Sequence, residues 1–198
     1  DGVQIGSGAD ANVIGGTSSN ERNLISGNAN DGIEIDNNST TGTLIRGNWI
    51  GVDATGSAAL ANGRYGIVLF NGVSGTQIGA ALAGAGNLIS GNANIGIAIN
   101  GGANAATANN TIQGNTIGLN AAGSAAIANG GDGIQVSNAA NNTTIGGGGA
   151  LARNLIAGNN GDGIEINAAT ANSVLGNHIG TNAAGTAAIA NTGAGVYA

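Results

Sequence analysis

Cysteine, proline, methionine and lysine are absent from this chain of 198 residues. Without cysteine there is no disulfide and no thiolate metal site, and either redox compartment suits the chain. Without lysine the fixed cations are four arginines, set against ten acidic residues for a net charge of −6. Nucleic acid and anionic membrane surfaces are recognised by clustered cations. No such cluster exists here, so neither is expected as a partner. No apolar run approaches the roughly 18 residues of a membrane-spanning helix, and no signal peptide is legible. Charged residues make up 7% and aromatics 2%, against about 25% charged in an average chain.

What fills the space is glycine and a fixed set of aliphatics. Glycine numbers 40 and hydrophobic residues reach 41%. Disorder goes with low hydrophobicity and high charge; the balance here is the reverse and points to an ordered repeat protein.

The repeat is read directly. RNLISGN at 22–28 returns as GNLISGN at 86–92 and RNLIAGN at 153–159, and DGIEI at 31–35 returns as IGIAI at 95–99 and DGIEI at 162–166. GNWIGVDATGSAALANGRYGI at 47–67, GNTIGLNAAGSAAIANGGDGI at 114–134 and GNHIGTNAAGTAAIANTGAGV at 176–196 align without a gap and share 11 positions. One domain, 1–198, is expected, with repeat units 1–64, 65–131 and 132–193 and the start of a further coil at 194–198. A finer period begins at Gly2, Gly32, Gly66, Gly96, Gly133, Gly163 and Gly195, in steps of 30–37 residues. Each step holds three short segments of alternating apolar residues bounded by Gly and Asn, which is a strand signal. The expected fold is all-β: a parallel β-helix of about six coils in alternating pairs, three short strands per coil. Coils would stack at about 4.8 Å.

The columns account for the composition. Ile14, Ile45, Ile78, Ile112, Ile145 and Val174 stack in the second strand. Two residues earlier, on the same inward face, come Asn12, Thr43, Thr76, Asn110, Thr143 and Asn172, an expected hydrogen-bonded ladder. The Gly-Asn pairs ending at Asn28, Asn48, Asn92, Asn115, Asn159 and Asn177 predict a second ladder. Leu60, Ile127 and Ile189 are expected to plug the wide bends.

The segments NLISGN–DGIEI, NTIQGN and GNTIGLNAAGSAAIANGGDGI resemble the right-handed parallel β-helix proteins of the pectate-lyase-like superfamily, in particular the repetitive β-helix regions of large bacterial secreted and surface proteins. The resemblance spans essentially the whole chain. It implies a right-handed coil and an extracellular or cell-surface location. It leaves function open, since that superfamily includes lyases, epimerases, adhesins and stalks.

The chemistry-bearing residues are few. Glu34 and Glu165 share an outward column but lie four coils apart, about 19 Å, too far for an acid/base pair. Asp1 and Asp31, and likewise Asp132 and Asp162, are equivalent positions in successive coils. Each precedes glycine at a turn, where its side chain caps backbone N–H groups; a Ca²⁺ ion shared by two such carboxylates is the competing reading. His178 has no histidine neighbour. Trp49 is a candidate for stacking on a sugar ring, although one aromatic does not make a platform. No catalytic residue and no obligatory cofactor is assigned. The leading expectation is a structural stalk, fibre or filament subunit. The sequence begins and stops in mid-pattern with no cap, which leaves two readings: flanking sequence completes the ends, or the uncapped ends associate head to tail. The alternatives are a non-catalytic segment of a polysaccharide lyase or epimerase and a carbohydrate-binding adhesin region that meets surface glycans.

Overall fold

The computed structural model describes residues 1–37, 39–102 and 106–198. Three parallel sheets run along one axis. The first holds seven strands, Val3–Ile5, Ile33–Ile35, Ile67–Phe70, Ile97–Asn100, Ile134–Ser137, Ile164–Asn167 and Val196–Tyr197. The second holds six, Val13–Gly15, Leu44–Arg46, Gln77–Gly79, Thr111–Gln113, Thr144–Gly146 and Ser173–Leu175. The third holds six of two residues each, Leu24–Ile25, Trp49–Ile50, Leu88–Ile89, Thr116–Ile117, Leu155–Ile156 and His178–Ile179. Each strand pairs with its equivalent one coil away, so the register repeats the sequence alignment: Ile33 faces Ile67, Ile67 faces Ile97, Ile97 faces Ile134. The result is the expected β-solenoid of about six coils.

Alternation sets the core. Ile33, Ile35, Ile67, Leu69, Ile97 and Ile99 from the first sheet meet Ile45, Ile78 and Ile112 from the second and Ile50, Ile89 and Ile117 from the third, all fully buried. Each such side chain contributes roughly 1.5–3 kcal/mol by leaving water. The core is a continuous aliphatic column, so two-residue strands suffice: stacking, not strand length, supplies the stability.

The glycine that opens each coil is required by space. A Cβ on Gly96 would lie 2.6 Å from the Gly133 carbonyl oxygen and 2.9 Å from Asn129 Nδ2. The corner glycine Gly118 has a different reason, a φ of +84° that glycine adopts without strain.

The ladders differ from expectation in a way the geometry explains. The Gly-Asn asparagines belong to two ladders. One runs Asn23, Asn48, Asn87, Asn115, Asn154, Asn177, just before the third sheet. The other runs Asn28, Asn62, Asn92, Asn129, Asn159, Asn191, just after it. In every rung the Nδ2 of one coil donates to the Oδ1 of the next at 2.8–3.1 Å. The Nδ2 of Asn87 also donates backward to the Ile45 carbonyl, and that of Asn115 to Ile78. The expected Asn/Thr ladder in the second sheet is not continuous. Thr43, Thr76 and Thr143 are fully buried, yet their hydroxyls have no hydrogen-bond partner. Asn110 and Asn172 instead reach down to the backbone N–H of Thr76 and Thr143, while Asn12 turns to the Ala9 carbonyl. A threonine Oγ1 sits one bond nearer the backbone than an asparagine Oδ1 and falls short across the coil spacing.

The even coils carry hairpins. Antiparallel bridges Val52–Ala59, Leu119–Ala126 and Thr181–Ala188 close them, and Asp53, Asn120 and Asn182 accept the N–H groups of the return arm. With two arms, a hairpin fills the height of two coils, about 9.6 Å at the usual strand spacing. The three hairpins therefore meet: Ala121 N donates to Gly56 O and Ala183 N to Gly123 O, each 2.9 Å. They form one ridge parallel to the axis. Ile127 is buried there against Val52 and Leu88, whereas Leu60 is 49% exposed and Ile189 half-buried, so the plug holds in full only in the middle copy.

Candidate functional site

The outer face of the first sheet and the turns that open it carry six of the ten acidic residues. The repeat places Asp1, Gln4, Asp31 and Glu34 on the first two coils and Asp132, Gln135, Asp162 and Glu165 on the last two, the same four positions used twice. In both quartets the lower aspartate accepts the backbone N–H of the upper one, Asp31 N to Asp1 Oδ1 at 3.0 Å and Asp162 N to Asp132 Oδ1 at 2.7 Å. The upper aspartates do the same for the next coil: Asp31 Oδ1 takes Tyr65 N, and Asp162 Oδ1 takes Ala194 N. All four thus cap the turn above them, as turn aspartates do. In both quartets the glutamine amide donates to the glutamate, Gln4 to Glu34 and Gln135 to Glu165.

The quartets differ in detail. Gln135 Nε2 also reaches Asp132 Oδ2 at 3.5 Å and so stands between two carboxylates. Burial pushes the Asp132 carboxyl above the ordinary carboxylate range, and the neighbouring Glu165 and Asp162 push the same way, against the lowering effect of the Asp162 N–H. In the first quartet Gln4 is held by Glu34, and oxygens of Asp1, Asp31 and Glu34 all lie within 4.8 Å of one another. Asp31 is fully buried. Beside it a cavity of about 270 Å³ is lined by Glu34, Arg64, Tyr65, Val68, Phe70, Asn71 and Asn100. Between the quartets the face is apolar, with Val68, Ile95 and Ala98 buried and Tyr65 and Phe70 packed on them.

Trp49 lies on the outer side of the third sheet. Its ring packs on Val52, Leu88 and Ile127, and the Arg22 guanidinium stands 4.2 Å from its centroid. A shallow groove beside it is lined by Arg22, Trp49, Gly86, Asn87, Leu88, Gly114, Thr116 and Ala121 of the hairpin ridge. His178 occupies the equivalent place two repeats on, against Gly185 of its own hairpin. Glu34 and Glu165 remain in separate quartets.

The column positions of all eight quartet residues follow from the repeat. Their grouping into quartets does not, because it depends on how far a glutamine reaches sideways and upward; the signal that exposes it is the recurrence of D-G-x-Q followed one coil later by D-G-x-E. Helices long and apolar enough to cross a membrane are absent among the described residues. Comparison with known proteins finds no match to any family, any curated protein or any solved structure.

Proposed function

We propose that this chain is a structural β-solenoid: an extracellular stalk or fibre segment, kin to the repetitive β-helix regions of secreted and surface proteins, that associates with itself along its axis. Axial continuity carries the reading. Two asparagine ladders and a hydrogen-bonded hairpin ridge run through successive coils. Both ladders are polar, each nitrogen donating toward the later coil, so only a head-to-tail stack places donors of one copy on acceptors of the next. With 7% charged residues, little repulsion opposes such stacking. Electron microscopy of the purified protein at high concentration tests this. Filaments with an axial repeat of about 29 Å, six coils at the strand spacing, are expected. Monodisperse short particles would sink the self-association.

A second reading, a glycan-binding surface, is favoured by the groove at Trp49. Retention on a glycan array that is lost in Trp49→Ala supports it; no retention on a broad panel removes it.

A further inference from the structure

The first acidic quartet has a buried oxygen that accepts no hydrogen bond from the described residues. Asp31 is fully buried. Its Oδ1 accepts the Tyr65 N–H at 2.9 Å, but its Oδ2, also buried, accepts no hydrogen bond. Arg64 is the nearest cation, with Nη1 at 3.6 Å, beyond hydrogen-bonding distance. The Arg64 side chain is 54% exposed and lies over the Tyr65 ring, 4.9 Å from the centroid. A buried carboxylate oxygen without a donor is costly to keep, and a surface guanidinium held by one aromatic ring compensates it poorly.

The sister quartet is arranged differently. There Gln135 Nε2 reaches both Asp132 and Glu165, so an amide nitrogen stands where the acidic oxygens converge. In the first quartet Gln4 bonds Glu34, and Asp1, Asp31 and Glu34 converge without such a bridge, their oxygens within 4.8 Å of one another.

We propose that Asp1, Asp31 and Glu34 bind a calcium ion. One oxygen from each carboxylate lies within 4.8 Å of the others, close enough for all three to reach a single ion that takes oxygens at about 2.3–2.6 Å, as Ca²⁺ does. Three carboxylates supply the hard oxygen donors that Ca²⁺ prefers. The adjoining cavity of about 270 Å³ leaves room for the water ligands that complete its coordination. Arg64, half in solvent, swings off Asp31 as the ion arrives. Asp1 and Asp31 sit on successive coils, so the ion cross-links them where the first sheet begins. Few protein ligands and an open side place the affinity among extracellular modules, with Kd of about 10⁻⁴–10⁻³ M.

Terbium, an oxygen-seeking stand-in for calcium, tests the site because Tyr65 lies beside it. With the whole chain, excitation of tyrosine should give terbium emission that added Ca²⁺ suppresses, and calorimetry with Ca²⁺ alone should give one site per chain. Asp31→Asn keeps the oxygen that accepts Tyr65 N–H, and Glu34→Gln alters an outward residue, so both should keep the wild-type circular dichroism. Each should weaken Ca²⁺ at least tenfold. Asp162→Asn, in the sister quartet, should leave the affinity within about twofold. Three results would overturn the proposal: no calorimetric binding up to about 10 mM Ca²⁺, well above the expected Kd; unchanged affinity in Asp31→Asn and Glu34→Gln; or an equal loss in Asp162→Asn.

Discussion

Asn92 and Asn129 are bonded twice although they close two different kinds of corner. The backbone N and the Nδ2 of Asn92 both donate to Asn129 Oδ1, at 3.1 and 2.9 Å. Asn92 ends the tight corner Ser90–Gly91–Asn92, whereas Asn129 ends a long excursion through the hairpin that follows Gly118. Odd and even coils leave the third sheet by unlike routes and return to one rung.

That rung should be among the costliest positions to lose. Asn129 accepts two bonds from Asn92 and donates to Asn159 Oδ1 and Ile89 O. Asn129→Ala leaves those groups buried without partners, at about 1–3 kcal/mol for each one left unsatisfied. We expect a loss of about 4 kcal/mol, allowing for partial relaxation. Asn23→Ala, at the exposed start of the other ladder, should cost less than about 1 kcal/mol. Urea unfolding followed by circular dichroism separates the two; equal losses would show that the ladder carries no special stability.

How much of this was legible depends on what each feature rests on. Strand columns rest on backbone alternation, so Ile45, Ile78 and Ile112 were placed from sequence alone and the structure buries all three. Ladder membership rests on vertical register after corners of unequal length. Asn62, Asn129 and Asn191 follow Ala rather than Gly, so the Gly-Asn motif missed them, and it merged Asn28 with Asn48 although they lie on opposite sides of the third sheet. The fate of Thr76 rests on a single bond length of side-chain reach, which a column of polar residues does not reveal. The quartets rest on side-chain direction: Gln4 and Glu34 were in one column, and Asp1 and Asp31 in another, before the structure brought the columns together.

Thr76 gives a prediction of opposite sign to Asn129. Its hydroxyl is buried and unpartnered, as are those of Thr43 and Thr143, and burying such a group costs about 1–3 kcal/mol. Thr76→Val keeps the shape and removes the hydroxyl, so it should raise stability by about 1 kcal/mol. Thr107 is the control. Its Oγ1 donates to Asn100 O at 2.7 Å and accepts Gly72 N at 3.2 Å, so Thr107→Val should lower stability by about 1–2 kcal/mol. Paired thermal melts read both signs, and a destabilised Thr76→Val would mean that its hydroxyl is satisfied in solution.

Asp132 ties stability to pH. Burial raises its pKa in the folded chain, and Glu165 and Asp162 add to the rise. A carboxyl with a raised folded-state pKa holds its proton more tightly when folded. Its contribution is fully present below the unfolded pKa, about 3.9 for aspartate, and is lost as pH rises through the folded value. At neutral pH the folded chain therefore carries a charge that its surroundings disfavour. Asp132→Asn keeps an oxygen to accept the Asp162 N–H, seen at 2.7 Å, and removes that charge. The variant should melt at a higher temperature than the parent at about pH 7, and the gap should close as pH falls toward the unfolded aspartate value of about 3.9. Melting curves of both proteins across that interval decide the matter: a gap that stays constant with pH would place the effect in packing, and a lower melting temperature at neutral pH would mean that the carboxylate is stabilised where it stands.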